Sequence, residues 1–148
     1  MSSLVEKWQG DDRFSSAAIN NISWSFGARG KANSVAYYQP SDKLISVNRN
    51  NIGSIIHELG HHLDYENNGL SWRISPQTRA AYKEQLSKES LDPKSLRYYL
   101  DKREIFARAF EAYCLEISVG FSTFAQLGGA YLPKLNDELR GLVEEALR

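Results

Sequence analysis

The sequence predicts an α+β domain that is mostly α, with a small β-hairpin or sheet packed beside the helix that carries its histidines. Apolar residues recur at helical spacing in three segments, at 52–63, 105–117 and 135–146. Two short strand-like runs flank a turn segment at 39–43. A chain of 148 residues, 42% apolar and 24% charged, suits a single globular domain spanning 1–148.

The N-terminal third predicts two short helices followed by extended chain. Residues 4–9 and 12–22 have helical patterning, and the glycine-containing segment 27–30 predicts a loop. The runs 35–38 and 44–47 are rich in β-branched and aromatic residues, which favour strands. Together the two runs predict a hairpin that leads directly into the next helix.

The remaining elements are predicted helices with recognisable ends. A helix spans 50–67, with asparagines at its start and Asn-Asn-Gly at its end. A second, mostly polar helix runs from 76 to about 89, and a break follows at 91–95. A third begins at 101 and continues to 120, and Pro133 opens the last one.

The helix at 50–67 carries the motif H-E-L-G-H at 57–61. All three histidines of the chain, His57, His61 and His62, lie in this helix. At 100° per residue, His61 lies about 40° from His57 and Asp64 about 20° on its other side, so the three share a stripe. The opposite side is apolar and consists of Ile52, Ile55, Ile56, Leu59 and Leu63. H-E-x-x-H offers two imidazoles to one zinc ion and a carboxylate, here Glu58, that takes a proton from water.

A catalytic zinc site takes three protein ligands and keeps one position open. The metzincin pattern would place its third ligand at position 67, where this chain has Asn67, so that class is excluded. The remaining source is an acidic residue on a later helix, where Glu104 and Glu111 share one face. Glu104 also stands three residues after Asp101, where it could complete a capping box.

Two motifs resemble those of gluzincin zinc metallopeptidases of the anthrax lethal factor and Pro-Pro endopeptidase type. In that group H-E-x-G-H-x-x-D is followed by E-x-F-A-x-A-F, matched here at 57–64 and 104–110. The stretch 26–115 is closer still to the metallopeptidase-like domains called large polyvalent protein-associated domains, found in phage and conjugative-element proteins. The resemblance implies a compact zincin-like fold and Glu104 as the third zinc ligand.

The chain departs from the gluzincin pattern at two positions. Arg108 stands where those proteases have an acidic residue, four positions after the ligand glutamate. Arg97 stands where they have a tyrosine that donates a hydrogen bond to the oxyanion. The neighbouring Tyr98 and Tyr99 are both candidates for this role, and the sequence does not choose between them.

Five further residues carry individual expectations. Asp64 either orients a ligand imidazole or is a solvated helix residue, and Glu111 is either such a partner or a surface charge. His62 lies off the metal stripe and is expected to flank the core. Trp72 is expected in the core rather than at a pocket rim, and Cys114 as a buried small hydrophobe.

The sequence therefore predicts a zinc metallopeptidase in which Glu58 acts as general base and then as acid. The substrate would be a peptide or protein. It could bind as an added strand along the hairpin edge, and the alternative is a hairpin that only covers the core. The alternative is a zinc-stabilised interaction or regulatory module of a phage or mobile element, with an idle or very narrow peptidase site.

Charge and hydropathy exclude other partners. Eighteen basic residues balance eighteen acidic ones, which argues against nucleic-acid and membrane-surface binding. The N-terminus lacks signal-peptide features and no apolar run reaches the length of a membrane span, so we expect a cytoplasmic protein, with delivery into a host cell left open.

Overall fold

The computed structural model describes residues 22–26, 36–47, 55–117 and 130–148. Within these residues the fold is α+β and mostly helical, which confirms the predicted class. The strands and helices are β1 (Ser23–Phe26), β2 (Ala36–Gln39), β3 (Leu44–Val47), α1 (Ile55–Glu66), α2 (Pro76–Leu86), α3 (Pro93–Tyr99), α4 (Lys102–Glu116) and α5 (Asp137–Leu147). The helix predicted at 4–9, nearly all of that at 12–22 and the loop at 27–30 lie outside the described residues.

The sheet has three strands in the order β1-β3-β2. The predicted hairpin is confirmed, since β2 and β3 pair antiparallel with Tyr38 opposite Ile45. A short 3-10 helix, Pro40–Asp42, joins them, and Lys43 closes the turn with a φ of 48°. β1 was not predicted: it pairs parallel to β3 through partners about twenty residues away, and two of its four residues are serines with little strand preference.

Helix α1 packs its apolar side against α4, and Gly60 lets the two backbones come close. A Cβ atom at Gly60 would lie 2.9 Å from the Cα of Ala107 and 3.2 Å from its carbonyl oxygen. This approach brings the first turns of α4 beside the histidines of α1. The buried apolar residues that the two helices contribute are Ile55, Ile56, Leu59, Leu63, Ile105, Phe106, Ala107, Ala109, Phe110, Tyr113 and Cys114.

We expect Gly60→Ala to lower the free energy of unfolding by about 1–3 kcal/mol, because the added methyl group meets backbone atoms that cannot rotate away. Gly141→Ala in α5 is the matched control. Nothing lies within 4 Å of a Cβ there, so the greater helix preference of alanine should raise stability by up to about 1 kcal/mol. Chemical unfolding of both variants measures the difference. Equal effects would show that Gly60 is not a packing constraint.

Several helix ends match their predicted signals. Gly69 follows α1 with a left-handed φ of 81°, and the Ser75 side chain caps α2 by accepting from the backbone N–H of Thr78. Asp101 caps α4 by accepting from the backbone N–H of Arg103. α4 ends at Glu116, and residues 118–120 of the predicted helix lie outside the described residues.

Two of the predicted helix boundaries are wrong. The break predicted at 91–95 is instead the start of α3, where the Asp92 carboxylate accepts from the Ser95 backbone N–H at 2.8 Å and Pro93 takes the first helical position. The last helix begins at Asp137 rather than at Pro133, because the Asn136 side chain supplies its cap. None of the described helices has the length and apolar character needed to cross a membrane.

Candidate metal centre

The side chains of His57, His61 and Glu104 converge between α1 and α4. The Nε2 atoms of the two histidines lie 3.2 Å apart. Glu104 reaches both of them, with Oε2 2.9 Å from His57 Nε2 and Oε1 3.2 Å from His61 Nε2. The two ring nitrogens and the carboxylate thus form a compact set of donors that could hold one metal ion.

The spacing of these donors fits a single small cation. Ligand atoms bound tetrahedrally at 2.0–2.1 Å lie about 3.3 Å from one another. The three separations between His57, His61 and Glu104 are 2.9, 3.2 and 3.2 Å. The donor set of two nitrogens and one carboxylate oxygen also matches that of catalytic zinc sites. The residues present therefore fit a metal ion on geometry and on chemistry.

The charges around the cluster fit a divalent ion. Next to the two histidines lie the carboxylates of Glu58, Glu104 and Glu111, together with the buried guanidinium of Arg108, whose Nη2 atom lies 3.6 Å from Glu104 Oε2. Their formal sum is two negative charges in a region where burial makes uncompensated charge expensive. A dication would bring this sum to zero.

The carboxylates around His57 favour its protonated form. Burial alone would lower the pKa of His57, but its hydrogen bonds with Glu104 and Glu111 raise it to about 9. Burial would likewise raise the pKa of Glu104, yet hydrogen bonds with His57 and His61 hold it well below its usual range. An imidazolium between carboxylates thus supplies part of the positive charge that a metal ion would bring.

Glu111 orients His57 from behind. Its Oε2 atom lies 2.9 Å from His57 Nδ1, and its side chain has no exposed surface. When the imidazole is neutral, Nδ1–H donates to this carboxylate and the lone pair of Nε2 points into the cluster, as in the carboxylate–histidine arrangement of many metal sites. Of the two roles open to Glu111, the structure supports the orienting one over a surface charge.

Glu111→Gln should weaken zinc binding by about 10- to 100-fold, because the amide cannot supply the negative charge that makes His57 a stronger ligand. The measurement is competition for zinc with a chromophoric chelator. Glu116→Gln is the control, since Glu116 lies on the same helix but is exposed and pairs with Arg140. If the two variants bind zinc equally well, Glu111 does not act on the cluster.

Glu58 lies in the cleft beside the cluster, on the turn between His57 and His61. It is 8% exposed, and it lines the same cavity as His61 and Glu104. Burial raises the pKa of Glu58, and the neighbouring histidines oppose the rise. A carboxylate with a raised pKa is a better proton acceptor than one in water, as a general base requires.

Tyr98 and Tyr99 point to different places. Tyr98 lines the cleft, and burial, together with the nearby charge of Glu104, raises its pKa to about 12, so that the phenol keeps its proton. Tyr99 instead stacks on Tyr131 with 5.5 Å between ring centroids, and the guanidinium of Arg108 lies 4.0 Å from its centroid. Only Tyr98 of the two lines the cleft.

Arg108, the departure from the gluzincin pattern, is fully buried beneath these tyrosines. Its Nη2 atom lies 3.6 Å from Glu104 Oε2, and its guanidinium carbon lies 5.2 Å from the centroid of the Tyr98 ring. It therefore links the candidate ligand to the candidate oxyanion donor. Arg97, at the position where the pattern has tyrosine, is exposed.

Asp64 holds the turn that follows α1 through two hydrogen bonds. Its Oδ1 atom accepts from the backbone N–H of Ser71 at 2.8 Å, and its backbone carbonyl accepts from that of Gly69, also at 2.8 Å. Its side chain is buried, so it is not a solvated helix residue. Within the described ranges the structure gives it no hydrogen bond with either ligand imidazole.

Three other expectations have clear outcomes. His62 is fully buried, and its Nδ1 atom lies 2.9 Å from the hydroxyl of Tyr38, so it flanks the core as predicted. Cys114 is buried, also as predicted. The expectation that Trp72 is a core residue is wrong: its side chain is 67% exposed, because the turn after α1 directs it outward.

The cluster opens into a cleft of about 1030 Å³. Glu58, His61, Tyr98 and Glu104 form the end nearest the metal cluster, and residues of the hairpin and of the turn after α1 form the rest. A cavity of this size accommodates several residues of an extended peptide.

Comparisons of the chain with protein families, with curated proteins and with solved structures find no match.

Proposed function

We propose that this protein is a zinc-dependent metallopeptidase, with His57, His61 and Glu104 as the zinc ligands and Glu58 as the general base. The observation that carries the proposal is the position of Glu58, which lines the same cleft as His61 and Glu104 without belonging to the three converging donors. The resemblance of 57–64 and 104–110 to gluzincin motifs supports the same assignment.

Zinc is the metal that best suits two imidazole nitrogens and one carboxylate oxygen with room for a fourth ligand. When bound, it supplies Lewis-acid chemistry, polarising a carbonyl and making water a competent nucleophile near neutral pH. Glu58 accepts the proton of the attacking water and then passes it to the leaving amine. Its raised pKa suits both halves of this transfer.

Tyr98 donates a hydrogen bond from its hydroxyl group to the carbonyl oxygen, which becomes negatively charged as water adds to the carbonyl. Its place at the cleft wall allows this contact, and its pKa of about 12 keeps it a donor across the working range of pH. Arg108 supports Tyr98 from beneath, with its guanidinium carbon 5.2 Å from the ring centroid.

The substrate in this proposal is an extended peptide that adds to the hairpin. β2 is an edge strand of the described sheet, and Tyr38 and Pro40 at its end line the cleft. A peptide that pairs with this edge would run through the cleft towards Glu58. Main-chain hydrogen bonds would then supply affinity, and side-chain contacts specificity.

Tyr98→Phe should reduce kcat by about 10²-fold with little change in KM, because the lost hydrogen bond forms only as the oxyanion develops. Tyr99→Phe is the matched control, since Tyr99 packs on Arg108 and Tyr131 rather than in the cleft. Steady-state rates on a cleaved peptide measure both variants. Should Tyr99→Phe cause the larger loss, the assignment of the two tyrosines is reversed.

The proposed function is tested by searching for cleavage products without assuming a substrate. Purified, zinc-loaded protein is incubated with a proteome-derived peptide library, and new termini are identified by mass spectrometry. The same search is made for new N-termini in cells that express wild type or Glu58→Gln. We expect termini that appear with wild type and not with Glu58→Gln. Identical termini in the two samples would overturn the proposal.

A further inference from the structure

Three large aromatic side chains are exposed in the described part of the chain, and all three lie on one cleft. Tyr65, Trp72 and Tyr98 are 51%, 67% and 53% exposed, and each lines the cavity that contains His61 and Glu104. Large exposed aromatic surface is costly in water and is enriched at binding sites. Among the side chains that the structure describes, this exposed aromatic surface lies on the walls of one cleft, which points to a ligand that covers it.

Trp72 is held in place from below. Gly69 has a left-handed φ of 81°, and a Cβ atom there would lie 2.6 Å from Cδ1 of the indole, so the ring rests directly on the glycine. Asp64 fixes this turn by accepting from the backbone N–H groups of Gly69 and Ser71, each at 2.8 Å. Both Asp64 and Ser71 are buried. An exposed indole on a buried, hydrogen-bonded support is organised before any ligand arrives.

The charged side chains that line the cleft near Trp72 are already paired with one another. Lys43 Nζ lies 3.1 Å from Glu66 Oε1, and Arg103 Nη2 lies 3.2 Å from Asp101 Oδ2. Asp64, the remaining carboxylate near the turn, accepts from a backbone N–H. A charged substrate side chain would therefore have to compete with an existing partner. Tyr65 and Trp72 keep half or more of their surface exposed, so a ligand can contact these rings without displacing a charged partner.

We propose that Trp72 and Tyr65 form a subsite that binds a large apolar side chain, aromatic or long aliphatic, of the peptide in the cleft. The inference rests on the proposed peptidase function and adds the class of substrate side chain. Asp64 and Gly69 are positioning residues, since they act on the ligand through Trp72. This gives the buried Asp64 of the H-E-x-x-H-x-x-D pattern a function in substrate selection.

The test measures binding rather than turnover. Dipeptide hydroxamates that differ in one side chain (phenylalanine, leucine, alanine, lysine or aspartate) are titrated into zinc-loaded wild-type protein by calorimetry. Burial of a phenylalanine or leucine side chain should make these two bind about 10- to 100-fold more tightly than the alanine compound. Lysine and aspartate should give no such gain. The Trp72→Ala variant should bind the phenylalanine and leucine compounds no more tightly than the alanine compound.

Variants separate the subsite from general damage to the fold. Arg73→Ala is the matched control, because Arg73 is the exposed neighbour of Trp72 and pairs with Glu145 outside the cleft. It should keep the full preference. Asp64→Asn retains an acceptor for the Ser71 N–H and should keep the preference, whereas Asp64→Ala should lose most of it. The ratio of two affinities in one variant does not depend on how stable that variant is.

The possible failures are distinguishable. If no hydroxamate binds the zinc-loaded protein, the zinc has no open position for a ligand, and the proposed function and the subsite fail together. If all the hydroxamates bind with equal affinity, the metal site stands and the apolar subsite is overturned. A preference for lysine or aspartate, or a phenylalanine preference that survives Trp72→Ala, would also overturn the subsite.

Discussion

Replacing Glu58 by glutamine is expected to slow peptide hydrolysis by about 10²- to 10⁴-fold, the usual contribution of a positioned general base. Glutamine has nearly the same shape but cannot accept the proton of the attacking water. The fold should tolerate the change, because a buried carboxylate whose pKa burial raises is replaced by a neutral group. Zinc content should stay at the wild-type level, since Glu58 is not among the three converging donors.

The measurement pairs cleavage rates with metal analysis of the same preparation. Glu66→Gln is the matched control, because Glu66 lies on α1 and lines the cleft but pairs with Lys43 away from the cluster. It should keep most of the activity. A Glu58→Gln variant that cleaves at the wild-type rate would remove Glu58 from the mechanism. If it retained the biological effect while His57→Ala lost it through unfolding, the zinc-stabilised interaction module would be the better account.

Removal of zinc is expected to lower the melting temperature substantially. Free zinc at about 1,000 times its Kd stabilises the folded state by about 4 kcal/mol. For a chain of this length that corresponds to a rise of about 8–16 °C. The physical cause is the group of carboxylates at Glu58, Glu104 and Glu111, the first and last buried and Glu104 partly buried, which would lose their balancing charge with the ion.

Thermal unfolding in the presence of a chelator, followed by titration with zinc, measures this increment. His61→Ala should abolish most of the response to zinc while leaving the buried hydrogen bond between His57 and Glu111 in place. His62→Gln is the control: His62 bonds to Tyr38 rather than to the cluster, so the variant should keep the zinc response at a lower baseline stability. A wild-type protein that carries no stoichiometric metal and does not gain stability with zinc would exclude both zinc-based accounts.

The helix that carries the candidate metal ligands His57 and His61 was predictable because its signals are local. Helical spacing alone places His57 and His61 on one stripe of the helix and the isoleucines and leucines on the opposite side. In the structure the apolar residues of that side are buried, namely Ile55, Ile56, Leu59 and Leu63. The start of α4 was equally readable from Asp101, whose side chain caps the helix. In both cases the determining residues lie within one or two turns of each other.

Other features depend on contacts between distant segments. The alternative roles for Glu111 differ only in whether the residue meets His57, which is 54 positions away. Tyr98 and Tyr99 are neighbours with the same chemistry, and the packing of Arg108 and Tyr131 decides which of them lines the cleft. Trp72 was expected in the core because tryptophan is usually buried, but the left-handed Gly69 turns it into the cleft.

The resemblance to gluzincin motifs, and not helical spacing, singled out Glu104 over Glu111 as the third donor. By itself the sequence determined the mostly helical class, the hairpin, and the pair His57 and His61 with Glu58 beside them. Periodicity, caps and motif spacing encode these features over short stretches of chain. Only the tertiary structure decided that Glu104 meets both histidines, that Glu111 supports His57, and that Tyr98 and Trp72 line the cleft. These depend on the close approach of α1 and α4 at Gly60 and on the turn held by Asp64, where packing sets the direction of each side chain.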